Sequence, residues 1–149
     1  MKFYLDTSIF GGLFDKEFEK PTHALFDFIE NKGIKIIYSD ILGEELELAP
    51  EHIKLKAINI LLKAEYIEVI TEEMLGLARM YIKVGALTEK SANDALHIAV
   101  ATIAGASAII SWNFKHMANF IKIQQYNAIN LQEGYRMINI HSPMEIIEN

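Results

Sequence analysis

Three carboxylates stand where a folded chain does not ordinarily leave a negative charge. Asp6 follows directly on the apolar run Phe3-Tyr4-Leu5. Glu45 lies in the segment Ile41–Ala49. At about 100° per residue, Ile41, Leu42, Leu46, Leu48 and Ala49 make one apolar arc with Glu45 near its middle. Asp94 falls in the first turn of a helix that begins at Ser91 and is apolar almost all round. A carboxylate on a buried stripe must be paired, protonated or bound to a cation. Three carboxylates that meet from separate elements repel strongly unless a divalent cation neutralises them. All-oxygen ligation suits magnesium or manganese. Such an ion can generate hydroxide and stabilise a phosphodiester transition state.

Each acid also has a purely structural reading. Asp6 can be an N-cap or the head of an Asx turn. Glu45 can be salt-bridged to Lys or Arg, or sit on a helix whose phase is one residue off. Ser91-Ala92-Asn93-Asp94 matches the Ser-x-x-acid capping box. His97, one turn after Asp94, is within i, i+3 reach of it. A lone histidine on a buried helix is more often a hydrogen-bonded core residue than a ligand, and His23, His52, His116 and His141 show no metal-binding spacing.

The elements that must position these residues alternate. Apolar strands are expected at Lys2–Leu5, Ile34–Tyr38, Tyr66–Ile70, Ala108–Trp112 and Met137–His141. Helical spacing covers Pro21–Asn31, closed by Gly33, and then Ile41–Ala49 and Glu51–Ala64. Further helices run from the Thr71 cap to about Val84, from Ser91 to about Ala104, and around Lys115–Ile121. Strands alternating with helices predict a three-layer α/β/α sandwich, with right-handed crossovers and a central, mainly parallel sheet. Sites in such folds lie beyond the carboxyl ends of the strands, which singles out Asp6, Ser39, Asp40 and Asn113.

Composition bounds the rest. At 149 residues the chain is expected to be a single domain, residues 1–149, since domains run to roughly 100–200 residues. A hydrophobic fraction of 51% and only three prolines exclude a disordered or low-complexity chain. With no cysteine there is no disulfide scaffold, zinc finger or thiol nucleophile. The opening apolar run is cut by Asp6 and is too short for a signal peptide or a membrane span, so a cytoplasmic, membrane-free protein is expected. The net charge of −6 argues against holding nucleic acid by bulk charge but not against a local site.

Taken together, the sequence resembles the PIN-domain family, the metal-dependent ribonuclease fold of VapC-like toxins. The likeness spans nearly the whole chain. It rests on Tyr4-Leu5-Asp6-Thr7-Ser8, on Ser39 with Glu45 six residues later, on Asp94-Ala95-Leu96, and on Ser111-Trp112-Asn113-Phe114. The resemblance implies that Asp6, Glu45 and Asp94 ligate magnesium or manganese, and that Asn113 stands where the family usually has a fourth acid. An amide there still offers a carbonyl oxygen but removes one negative charge. Thr7, Ser8 and Ser111 are then expected to support the carboxylates. His97, where an apolar residue is often found, is expected to support them too or to contact the scissile phosphate. Lys115 and His116 could touch the RNA backbone.

The activity implied is hydrolysis of an RNA phosphodiester, with Asp6 or Asp94 orienting the attacking water. The resemblance also implies a homodimer, and a small antitoxin partner that blocks the site, often with a basic side chain. One rival is a haloacid-dehalogenase-like phosphatase, but Ser8 stands where that class needs its second Asp. A phosphorylation receiver fits no better, because it needs an acidic pair at the first strand. The other rival is a degenerate PIN domain that binds metal, RNA or protein without catalysis, which Asn113 and the acidic charge favour.

Overall fold

The computed structural model describes residues 1–148, and its centre is the strand that begins the chain. In β1 (Lys2–Leu5), Phe3, Tyr4 and Leu5 are all buried, as expected of a strand covered on both faces. It pairs in parallel with β2 (Lys35–Ser39) on one side and β4 (Ala108–Ile110) on the other. β3 (Glu65–Ile67) and β5 (Ile140–His141) form the edges, giving the order β3-β2-β1-β4-β5. All pairings among the described residues are parallel. The register sets Tyr4 beside Ile37 and Ile109, and Phe3 beside Ile36 and Ala108.

Alternation along the strands divides the core in two. Tyr4, Ile37 and Ile109 face α5 (Glu72–Lys83), α6 (Ala92–Ile103) and α7 (Phe120–Gln132). Phe3, Leu5, Ala108 and Ile110 face α1 (Thr7–Gly12), α2 (Glu19–Lys32), α4 (Glu51–Leu61) and α8 (Pro143–Ile147). The result is the three-layer sandwich that the alternation predicts. The helix α3 (Asp40–Glu47) caps the end of β2 and serves both cores, Ile41 entering one while Leu42 and Leu46 enter the other. No helix among the described residues is long and apolar enough to cross a membrane.

Several local expectations are corrected. α3 stops at Glu47 because Pro50 disfavours helix at the residue before it, and Leu48, expected on the apolar arc, is 91% exposed. Residues 113–119 form turns in place of the helix expected around Lys115–Ile121, and α7 starts only at Phe120, capped by Asn119. The strand expected from Met137 is reduced to Ile140–His141, because Asn127 of α7 occupies Ile138. Its side chain accepts from the Ile138 N–H (2.7 Å) and donates to the Ile138 carbonyl (3.0 Å). The capping box at Ser91 does not form. A 3-10 turn over Glu89–Ser91 leads into α6, Ser91 is not extended (φ −106°, ψ 28°), and its side chain makes no cap. Gly33 closes α2 in the left-handed region as expected (φ 63°).

Candidate acidic site at the carboxyl edge of the sheet

The chain runs β1, β2, β3 outward to one edge and then returns to place β4 on the other side of β1. The direction of winding therefore reverses between β1 and β4, where open α/β sheets leave a crevice for ligands. Asp6 and Ser111 are the residues that follow these two strands.

Asp6 is 5% exposed, and both its oxygens are held. Ser8 donates to Oδ1 (2.6 Å) and Ser111 to Oδ2 (2.7 Å). The same hydroxyls accept from the chain: Ser8 from the Trp112 N–H (2.9 Å) and Ser111 from the Asn113 N–H (2.9 Å). Each hydroxyl proton is thereby directed at the carboxylate. Burial nonetheless raises the Asp6 pKa; Ser8, Ser111 and His97 oppose the rise, and the nearby Asp94 charge adds to it.

Glu45 reaches in from α3, half-buried. Its Oε1 accepts from Thr7 (2.8 Å) and bonds His97 Nε2 (2.5 Å). Burial alone would raise its pKa, but the hydrogen bond and charge of His97, with Thr7 and Asn93, bring it below the ordinary carboxylate value. Asp94 opens α6 and receives no hydrogen bond among the described residues. Its pKa is raised by burial, which outweighs His97 and His116, and the Glu45 charge raises it further. The three acids thus lie within electrostatic range of one another. Ion pairs among the described residues bring no Lys or Arg to any of them.

His97 is 1% exposed, with both ring nitrogens occupied, Nδ1 by the Tyr4 hydroxyl (2.6 Å) and Nε2 by Glu45. It is therefore not available to a phosphate at the surface, and of its two expected roles only support of a carboxylate matches its contacts. Tyr4 and Ser39 (hydroxyls 2.8 Å apart) complete this buried chain. Sequence reasoning missed the part of Tyr4, whose one signal is a phenol inside an otherwise apolar strand. Asn113 turns its carbonyl onto the backbone, accepting from the N–H groups of Lys115 (3.1 Å) and His116 (2.9 Å). Lys115 is exposed. His116 is partly buried, near Asp94, with Nε2 3.4 Å from Ser91 Oγ and Nδ1 unpartnered. Asp40 lies apart from the three acids, paired with the Tyr66 hydroxyl.

The donor set is all carboxylate oxygen and lacks a protein cation, which fits a hard divalent metal. No group of three or more acids and histidines among the described residues is already drawn together tightly enough to enclose one. A cleft of about 550 Å³ between α2 and α4 lies elsewhere; its polar lining includes His23, Asp27, Lys35, Lys56 and Lys63 and none of the three acids.

An all-parallel sheet with acids gathered beyond the reversal between β1 and β4 defines the class: an α/β protein whose site lies at the carboxyl edge. The sequence matches the PIN domain family over residues 3–117, and the protein belongs to that family. PIN domains are generally nucleases that use divalent metals. A chain of VapBC2 from Rickettsia felis, solved bound to a DNA fragment from their promoter, is similar in fold, with a TM-score of 0.65 at 18% identity; the match covers 95% of this chain and 98% of that one. A chain of FitAcB from Neisseria gonorrhoeae matches with a TM-score of 0.57 at 14% identity over the same shares. No curated protein matches the sequence significantly.

Proposed function

We propose that this protein is a magnesium- or manganese-dependent endoribonuclease, the toxin of a type II toxin–antitoxin pair. The observation that carries the reading is the trio Asp6, Glu45 and Asp94. They come from three elements, share one electrostatic neighbourhood at the carboxyl edge of a PIN-domain sheet, and form no ion pair with Lys or Arg among the described residues. They would hold the cation, directly or through water. When bound, it would supply the charge that stabilises the transition state of an RNA phosphodiester and a more acidic water. Asp6, gripped by two serines, is a fixed anchor. Asp94, with no hydrogen-bond donor on it, is the carboxylate best placed to take a proton from water and orient it. Glu45 is presented in a set orientation by Thr7 and His97.

The partners that go with this reading are an RNA substrate, a second copy in a homodimer, and a small antitoxin whose basic side chain would answer the uncompensated acids. The likeness to VapBC2 and FitAcB supports the antitoxin. A second reading is favoured by Asn113, whose carbonyl is committed to its own turn: a PIN domain that binds metal, RNA or protein without cleavage.

A cleavage assay on mixed single-stranded and transfer RNAs with manganese or magnesium separates the two. Metal-dependent cleavage abolished by EDTA and by Asp94→Asn supports the nuclease. Manganese binding by calorimetry with no cleavage of any RNA supports the binding module and sinks the nuclease.

A further inference from the structure

We infer that His97 and Tyr4 are positioning residues for Glu45, a buried relay that sets the carboxylate before any cation arrives. The inference rests on the reading of Asp6, Glu45 and Asp94 as cation ligands.

With His97 as a neutral imidazole the contacts follow one direction of donation. Thr7 gives its hydroxyl proton to Glu45 Oε1 at 2.8 Å, and the same oxygen lies 2.5 Å from His97 Nε2. A carboxylate oxygen only accepts, so Nε2 carries a proton. In the neutral ring Nδ1 is then bare and accepts from the Tyr4 hydroxyl at 2.6 Å. Tyr4 has spent its single proton, so Ser39, at 2.8 Å, donates to the phenol oxygen. Ser39, Tyr4 and His97 thus pass hydrogen bonds one way from the end of β2 across β1 to α6, and from there to α3. The ring of His97 also meets that of Tyr4 edge-on, with centroids 5.5 Å apart.

Burial makes this chain a fixture. Tyr4 and Ser39 are fully buried and His97 nearly so, so none can swing without leaving a polar group unpaired. Glutamate by contrast is a flexible side chain, and each rotor frozen on binding costs affinity. Fixing Oε1 fixes which way the other oxygen faces, and the cost is met during folding. An apolar residue at position 97 would remove one of the two donors that hold Glu45 Oε1 and leave the Thr7 hydroxyl, with Asn93 nearby.

The test is manganese binding by calorimetry on the full chain, with a thermal melt of each variant. Loss of a side chain that orients a ligand typically weakens metal binding about 10–100-fold, and His97→Leu is expected to fall in that range. His97→Gln, whose amide nitrogen lies near the Nε2 position, is expected to recover most of the affinity. The double variant Tyr4→Phe/His97→Leu removes the buried pair together, leaves only the Ser39 hydroxyl without its partner, and is expected to show the same loss should the single variant fail to fold. A folded His97→Leu or double variant with wild-type affinity overturns the inference. So does equal loss in His97→Gln and His97→Leu, which would assign the effect to packing. If wild type binds no manganese, or Asp94→Asn binds it as well as wild type, the cation site itself is wrong and the inference falls with it.

Discussion

Gly12 ends α1 where that short helix presses on the turn after β4. A Cβ there would lie 2.7 Å from Trp112 Nε1 and 2.8 Å from both Trp112 Cδ1 and Thr22 Oγ1. These contacts are shorter than packed atoms tolerate, and the atoms they strike are themselves engaged. The indole donates to Thr22 at 2.9 Å and stacks on Phe18 at a centroid distance of 4.2 Å. Gly12→Ala must therefore move the indole or tilt α1. Overpacking of this kind costs about 1–3 kcal/mol, and losing the indole–threonine bond about 0.5–1.5 kcal/mol more. Alanine returns about 0.5–1 kcal/mol through its better helix propensity. The net expectation is a loss of about 2 kcal/mol, or about 4–8 °C in Tm for a chain of this size. Urea unfolding of wild type, Gly12→Ala, Trp112→Leu and the double variant measures it. Because the clash needs both partners, the double variant should be more stable than the two single losses predict. A neutral or stabilising Gly12→Ala, as helix propensity alone would give, refutes the steric reasoning. The strain also has a route to the acids, since the Trp112 N–H bonds the same serine that holds Asp6 Oδ1.

Other expectations follow from the same contacts. Asp6 and Asp94 have pKa values raised by folding, so their contribution to stability is full below the ordinary carboxyl range and is lost as pH rises through the raised values. Glu45 runs the other way: its contribution is present above that range and is lost as pH falls through its lowered value. Melts in EDTA should therefore show Asp94→Asn more stable than wild type at neutral pH, with the gain shrinking in acid; destabilisation at neutral pH contradicts this. Asn127→Ala strands the Ile138 N–H and carbonyl together and should cost about 2–4 kcal/mol in urea unfolding, with the loss concentrated at the α7–β5 connection in hydrogen exchange. Thr71→Ala removes a formed cap on α5 and should cost about 1 kcal/mol, whereas Ser91→Ala removes none and should cost markedly less. Equal losses at the two positions would mean that Ser91 caps in solution.

Legibility of the chain followed how each residue is used. Where side chains do what their type suggests, pattern and structure coincide. Phe3-Tyr4-Leu5 is a central strand because it is apolar on both faces, and Gly33 ends α2 because glycine accepts a positive φ. Glu45 could be singled out because it is wrong for its helix face. α7 was obscured because its buried face includes Asn127 and Asn130, which interrupt the apolar period while satisfying each other and Ile138. Ser91 carries a capping signature that backbone geometry overrides, and Asn113 has site-like chemistry but spends its carbonyl on its own turn. The relay through Tyr4 was hidden for a different reason. Its members sit 35 and 93 positions apart from that tyrosine, and no local spacing encodes such a meeting.

The position of β1 has a further consequence in time. It is made before the other four strands of the sheet and becomes its middle strand, and the hydroxyl that holds Asp6 Oδ2 arrives 105 residues later. At roughly 5–20 residues per second a ribosome needs on the order of 5–20 s to cover that interval. Through it the nascent chain carries Asp6 with neither its β4 flank nor Ser111. The acidic site therefore forms only after β4 and Ser111 have been made, and a chain that stops before Ser111 holds Asp6 by Ser8 alone. For a protein whose proposed substrate is RNA, that order of assembly delays the site until Ser111 has been added.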